Sequence, residues 1–253
     1  MKKVKNYIVK WLKSYAESNN IKGYVLGVSG GIDSAVVSTL VAETGLEVLV
    51  LDLPIFQTKS EVSRLDKHVK WLQKKYKNVS YKQIDLSNSF KMLSETLNIK
   101  DELTLANTKS RLRMTTIYAF ANNNNYLVAG TGNKVEDFGI GFFTKGGDGQ
   151  VDLSPIADLM KSEVYLLGEY LGIIQPILEA KPTDGLWENA ISDEEQIGAT
   201  YDELEWAMEW DGDTTNITER QKEVLNIYQK RHNANKHKMS LPPICKISKE
   251  LKT

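Results

Sequence analysis

Gly27-Val28-Ser29-Gly30-Gly31-Ile32-Asp33-Ser34 joins two stretches of different character. Gly23-Tyr24-Val25-Leu26 before it is apolar and β-prone, and Ala35-Val36-Val37-Ser38-Thr39-Leu40-Val41 after it reads as a helix. A strand, a Gly/Ser turn and a helix N-terminus in that order form an anion site. The free N–H groups of the first helical turn and the positive end of its dipole point at whatever lies in the loop. Paired glycines let the backbone approach an anion closely and take positive φ without strain. Ser29 and Ser34 add hydroxyl donors. Asp33 would repel a naked phosphate, so the reading places a cation such as Mg²⁺ between them. The loop is not of the Walker type, which needs a lysine after its second glycine. An ordinary Gly-rich strand-to-helix turn is the bland alternative, and the two serines and the acid argue against it.

Outward from this loop, Leu46 to Leu53 reads as a second strand, apolar enough to be buried on both faces, and Pro54 ends it. Thr58 and Glu61 form a capping box for a helix whose inner stripe is Val62, Leu65, Val69, Leu72 and Tyr76. Val79 to Leu86 is a third strand, Leu103 to Asn122 a helix stopped by the asparagines Asn122 to Asn125, and Tyr126 to Thr131 a fourth strand. Strands alternating with helices imply a doubly wound parallel α/β sheet with right-handed crossovers. Ligands of such sheets bind at the carboxyl ends of the strands, where the Ser29 loop, the Leu53-Pro54 turn and the Gly130-Thr131 turn all fall. From Ser154 the pattern turns helical, at Ser162 to Leu171, Asp193 to Ile197, Tyr201 to Trp210 and Glu219 to Asn235. No Gly/Pro/Ser-rich linker intervenes, so residues 1–253 read as one domain with a helical C-terminal part.

Bulk properties narrow the function. The chain of 253 residues is 41% hydrophobic and 26% charged, as a globular protein is, and its net charge of −1 gives no pull toward nucleic acid or anionic lipid. A single cysteine, Cys245, excludes an internal disulfide and a Cys-rich metal cage and suits a reducing cytoplasm. Val4, Ile8, Trp11, Leu12 and Tyr15 recur at helical spacing, which makes the lysine-rich N-terminus an amphipathic surface helix rather than a signal peptide. No apolar run approaches the ~20 residues of a membrane span.

Two further stretches carry chemistry. Gly130-Thr131-Gly132-Asn133-Lys134-Val135-Glu136 follows the fourth strand; Thr131 offers a hydroxyl to a nucleotide, and Glu136 offers a second carboxylate beside Asp33 for a hard cation. Glu136 alone would read as a solvated acid. Gly141-Phe142-Phe143-Thr144-Lys145-Gly146-Gly147-Asp148-Gly149 sets two aromatics in a Gly-dense loop, poor core material but good packing for a planar ring, with Lys145 and Asp152 as polar flanks.

These motifs, followed by Leu153 to Lys161, Lys181-Pro182-Thr183 and His237-Lys238, occur in an order that resembles ammonia-dependent NAD synthetase over nearly the whole chain. Gly27 to Ser34 in turn resembles the Ser-Gly-Gly-x-Asp-Ser pyrophosphate loop of the ATP pyrophosphatase group. The resemblance implies an adenine nucleotide alpha hydrolase-like fold and a ligase that adenylates the nicotinate carboxylate of deamido-NAD with ATP, then amidates it with ammonia. It assigns ATP contacts to Gly27, Val28, Ser29, Gly30, Gly31, Ile32, Asp33, Ser34, Thr131, Lys161 and Thr183, and magnesium to Asp33 and Glu136. Deamido-NAD contacts fall to Arg111, Lys145, Asp152, His237 and Lys238. It also implies a homodimer with the dinucleotide across the interface. Without the matched order, Arg111 and Arg113 would read as a solvated helix face and His237-Lys238 as a basic tail. Two departures are mild: Gly146 stands where the family often has tyrosine, and Ser110 where it often has alanine. Neither falls on a charged role, though Gly146 could loosen the loop.

Rival readings are a GMP synthetase core, which the Phe142-Phe143 loop argues against, and a tRNA-modifying thiolase, for which a basic face and paired cysteines are lacking. A non-catalytic nucleotide-binding module would not need two acids and two lysines at strand ends. Tyr201 to Thr218, with Trp206, Met208 and Trp210 beside an acidic Gly-containing turn, reads equally as a lid over the adenylate or as a core helix and loop.

Overall fold

The computed structural model describes residues 1–56, 59–183, 192–213 and 215–252. The chain opens with α1 (Lys2–Ser18), then β1 (Gly23–Gly27), α2 (Ile32–Glu43), β2 (Glu47–Asp52), α3 (Lys59–Lys75) and β3 (Val79–Gln83). Next come α4 (Ser87–Leu97), α5 (Glu102–Asn124) and β4 (Tyr126–Val128), followed by a wide π-type turn at Val135–Ile140. The helices α6 (Lys161–Leu171), α7 (Gln175–Leu178), α8 (Asp193–Ile197), α9 (Tyr201–Glu209) and α10 (Glu219–Asn235) complete the fold.

The four strands form one parallel sheet in the order β3-β2-β1-β4, with Val25 opposite both Leu49 and Val128. Alternate residues of a strand point to opposite faces, and here both faces are covered. Tyr24, Leu26, Val48 and Val50 pack with α1, α2, α3 and α6 in one core. Val25, Leu49, Leu51 and Val128 pack with Phe90 of α4 and Met114, Ile117 and Ala121 of α5 in a second. A third core joins the π-turn to α8, α9 and α10 through Val135, Ile140, Leu204 and Val224. The expected doubly wound α/β architecture is therefore present. The chain winds outward from β1 to β3, then returns to place β4 on the other side of β1. That reversal opens a crevice at the carboxyl ends of β1 and β4.

Helix α2 lies inside this arrangement and is buried on nearly every side. Its interior hydroxyls are satisfied locally, Ser38 Oγ donating to Ala35 O at 3.0 Å and Thr39 Oγ1 to the same carbonyl at 2.7 Å. Leu65, Val69 and Leu72 of α3 are buried as their spacing requires; the capping box read at Thr58 lies outside the described residues.

The ends of α5 and β3 differ from the sequence reading, and the structure favours one of the two readings of the segment from Tyr201. Helix α5 continues through Asn122 to Asn124 and stops at Asn125, whose left-handed backbone (φ 59°, ψ 50°) is one that asparagine tolerates. Strand β3 ends at Gln83, because Asp85 Oδ1 accepts from Ser87 N at 2.8 Å and starts α4, a helix the sequence reading lacked. The alternation of Ile84 and Leu86 had extended the strand across that helix start. The apolar side chains Trp206, Met208 and Trp210 are half-buried against the third core, so the segment from Tyr201 packs as a core helix in this structure.

Candidate active site

At the end of β1, the Ser29 loop is braced by its own side chains. Gly31 N donates to Ser29 Oγ (3.2 Å), Ser29 N to Ser34 Oγ (3.3 Å), and Ser34 Oγ to Gly31 O (3.1 Å). Gly30 has φ 80°, which a side chain would strain, and Gly31 caps α2 in an extended conformation. The loop thus presents the first N–H groups of α2 to the crevice. Beyond β4, the carboxyl group of Asp137 packs so closely on Gly132 that a Cβ there would lie 2.0 Å from Asp137 Oδ2.

The two loops line one cavity of about 270 Å³. All of Gly27, Val28, Ser29, Gly30, Gly31, Ile32, Asp33 and Ser34 line it, as do Thr131, Glu136, Lys161 and Thr183. The whole set assigned to ATP and magnesium therefore converges. Side chains that the sequence reading did not select also line it, among them Arg64, Arg113, Asp137, Asp148 and Asp193. Arg113 is the alternate-face neighbour of Arg111 on α5, and its Nε donates to Leu53 O at 3.0 Å. Burial, rather than position within a motif, is the signal that distinguishes the two arginines.

Lys161, only 2% exposed, forms the floor. Its Nζ lies 2.6 Å from Asp33 Oδ2 and 2.9 Å from Glu136 Oε1. Asn133, fully buried, ties the same groups together: Nδ2 donates to Asp33 Oδ1 at 3.0 Å, and Oδ1 accepts from Glu136 N at 3.1 Å. Tyr201 Oη donates to Glu136 Oε1 at 2.6 Å. Burial pushes the Asp33 carboxyl above its ordinary range, against the pull of Lys161, and the charge of Glu136 adds to the rise. Burial pushes Glu136 the same way, but Lys161, Tyr201 and Asn133 together carry it below its ordinary value. Burial alone would lower Lys161; the two carboxylates outweigh it and raise the ammonium well above its ordinary value. Asp137 is pushed up to about 8 by burial and by the charges of Glu136, Asp148 and Asp33.

Two carboxylates around one ammonium leave one negative charge in excess at the cavity floor. Their oxygen donors are of the hard type that Mg²⁺ takes. Among the described residues no group of three or more His, Cys, Asp or Glu could hold a metal. Asp33 and Glu136 are the residues that would hold such an ion, which would supply positive charge beside bound phosphates.

The deamido-NAD set is arranged differently, since Arg111, Lys145, Asp152, His237 and Lys238 lie outside the cavity lining. Three of them gather on the neighbouring Phe142-Phe143 loop. Arg111 Nε donates to Lys145 O (3.2 Å), and Lys238 Nζ donates to Phe143 O (2.7 Å) while standing 4.7 Å from the Phe143 ring centroid. Asp152 instead accepts from Tyr118 Oη (3.1 Å) and Val128 N (2.7 Å), and His237 Nδ1 meets Ala234 O (3.1 Å). Ser110, read as a mild departure that falls on no charged role, bonds to Asp148 of the neighbouring loop. Its Oγ donates to Asp148 Oδ1 (2.7 Å) and accepts from Asp148 N (3.0 Å), which fastens the loop to α5. Gly146 in the same loop takes φ 80°, so glycine suits the turn it makes.

Sheet order, switch-point crevice and loop geometry define an α/β nucleotide-binding enzyme of the adenine nucleotide alpha hydrolase-like fold. Residues 4–242 match the family model described as NAD synthase, and the chain belongs to that family. It is 40% identical over 232 residues to the NH(3)-dependent NAD(+) synthetase of Mycoplasma genitalium, covering 88% of this chain and 90% of that one. Among solved structures it resembles an NMN synthetase from Francisella tularensis, with TM-score 0.85 and 32% identity over 97% of this chain and 98% of that one. It also resembles an NH3-dependent NAD synthetase from Campylobacter jejuni, with TM-score 0.79 and 25% identity over 97% and 99%.

Proposed function

We propose that the protein converts deamido-NAD, ATP and ammonia into NAD, AMP and pyrophosphate. The observation that carries this reading is the convergence of Asp33, Glu136 and Lys161 at the floor of a cavity whose wall is the N-terminus of α2. In the first step an oxygen of the nicotinate carboxylate forms a bond to the α-phosphorus of ATP, and the bond to the bridging oxygen breaks to release pyrophosphate. In the second step ammonia attacks the activated carbonyl, the bond to the AMP oxygen breaks, and nitrogen loses its extra proton.

Positioning and charge neutralisation supply most of the acceleration in such displacements. The N–H groups of Gly30 to Ser34 and the hydroxyls of Ser29 and Ser34 hold the leaving pyrophosphate. Lys161 offsets part of the negative charge that Asp33 and Glu136 bring beside the α-phosphate, and Thr131 and Thr183 orient the nucleotide. Asp33 and Glu136 would hold a magnesium ion, which when bound screens the phosphate charge that the attacking carboxylate must approach. Arg111, Lys145 and Lys238 form a cationic rim around Phe142-Phe143 that suits the phosphates and nicotinate ring of the acceptor, with Asp152 and His237 at its edges.

Residues 1–253 act in this reading as one domain in the cytoplasm, without nucleic-acid or membrane partners; no described helix is long and apolar enough to cross a membrane. The exposed apolar side chains Met92, Leu93, Leu97, Ile99 and Leu103 on and around α4 and the start of α5 support a homodimer joined through that face.

The likeness to the Francisella NMN synthetase favours a second reading, in which nicotinate mononucleotide is the acceptor. Steady-state assays with each acceptor, ATP, Mg²⁺ and ammonium separate the two. The first reading requires the higher kcat/KM with deamido-NAD; the higher value with the mononucleotide replaces it by the second.

A further inference from the structure

Glu136 receives a bond from outside the nucleotide-binding half. Tyr201, the first residue of α9, belongs to the third core, 65 residues along the chain from Glu136. Its hydroxyl donates to Glu136 Oε1 at 2.6 Å, and a weaker contact of 3.4 Å joins it to Asp193 Oδ2. The ring lies beneath the ammonium of Lys161, with Nζ 4.7 Å from its centroid. Lys161 Nζ and Tyr201 Oη both bond Oε1, so neither bond engages the second oxygen of that carboxylate.

The placement of Tyr201 is itself braced. Thr200 and Glu203 make a reciprocal capping box at the start of α9, and Tyr201 N donates to Glu194 Oε1 of α8 at 3.0 Å. Glu205 of α9 accepts from Ser162 N (2.8 Å) and Ser162 Oγ (2.6 Å), which bolts α9 to the start of α6 beside Lys161. A phenol costs free energy to bury without a partner, and this one directs its short hydrogen bond to a carboxylate oxygen of the nucleotide cavity, with Asp193 Oδ2 as a longer second acceptor. Packing alone would be served by phenylalanine.

We propose that Tyr201 is a positioning residue for the metal-nucleotide site: its hydroxyl holds the Glu136 carboxylate in the orientation that receives the divalent cation together with ATP. The helical C-terminal part thereby takes a direct share in assembling the nucleotide site. The proposal rests on the reading of Glu136 as a metal-holding group. Hydrogen-bond partners of metal-holding carboxylates typically change metal affinity by about 10- to 100-fold when removed.

The test is Mn²⁺ binding, read by electron paramagnetic resonance with the full chain and a non-hydrolysable ATP analogue. Wild type, Tyr201→Phe, Glu136→Gln and the double variant are compared. Tyr201→Phe should weaken Mn²⁺ binding about tenfold and raise the Mg²⁺ concentration needed for half-maximal turnover, with kcat largely recovered at saturating Mg²⁺. In the Glu136→Gln background the same change should add no comparable loss, because the hydroxyl acts through Glu136. Unchanged Mn²⁺ affinity, an equal loss in both backgrounds, or loss of the fold on removing this one oxygen would each overturn the proposal. Wild-type binding that is insensitive to Glu136→Gln would instead defeat the metal reading on which it stands.

Discussion

Lys161 Nζ stands 2.6 Å from Asp33 Oδ2 across 128 residues of sequence, and the same ammonium reaches Glu136 at 2.9 Å. The fold therefore brings the first turn of α2, the π-turn after β4 and the first residue of α6 to one point. Asp33→Asn and Glu136→Gln each remove charge from that point without changing shape. Pyrophosphate release should fall by about 10²- to 10³-fold in either variant, while circular dichroism and cooperative melting persist. Near-normal release at ordinary Mg²⁺ would refute the roles given to these acids.

A buried histidine gives the protein a pH dependence separate from the site. His68 of α3 is 1% exposed, shares a 2.9 Å hydrogen bond with Ser38 of α2 and stacks on Trp71. Burial lowers its pKa from 6.5 to about 4. Between those values the unfolded chain binds a proton that the folded chain refuses. The stabilisation is complete above pH 6.5 and is lost as pH falls toward 4, with an upper bound of about 3 kcal/mol. Urea unfolding from pH 7 to pH 4 should show a shallower acid decline for His68→Gln than for wild type, and parallel declines would contradict the assignment.

How much of this was legible in the sequence follows from where the signals lie. The Ser29 loop is local: strand, glycines and helix start are contiguous, so Gly27 to Ser34 emerged as a unit. Glu136 and Lys161 stand out only through the order of the motifs. The bond from Tyr201 to Glu136 leaves no trace in periodicity, because position 201 carries the spacing of any core tyrosine. Arg113 and Arg111 look alike on the chain, and only the packing of α5 turns one inward. On the chain Ser110 looks like a mild exchange for alanine, yet its hydroxyl fastens the Asp148 loop. The start of α4 is hidden in the sequence because Ile84 and Leu86 continue the two-residue alternation of β3 up to it.

The nitrogen donor should be ammonium. Glutamine use requires a nucleophile for amide cleavage, and the only cysteine, Cys245, is exposed in the tail after α10. With purified protein, ammonium should support amide formation and glutamine at equal concentration should give only what contaminating ammonia explains. Efficient glutamine-driven synthesis would contradict this.

Packing of α9 also settles what its hydrogen exchange should look like. Leu204 and Ala207 are buried against the third core, and the indole of Trp210 donates to Asp213 O at 3.1 Å. Amides from Leu204 to Glu209 should be protected in the free enzyme, as those of a core helix are. Rapid exchange there that slows only with ATP and deamido-NAD would restore a closing lid.

The most direct test of the account is an isotope transfer. Deamido-NAD carrying ¹⁸O in both oxygens of its nicotinate carboxylate is incubated with the protein, ATP, Mg²⁺ and ammonium, and the AMP is examined by mass spectrometry. An acyl adenylate requires one ¹⁸O in the phosphate of each AMP formed, with the other retained in the amide. AMP without label, or label in inorganic phosphate accompanied by ADP, would contradict the mechanism assigned to this site.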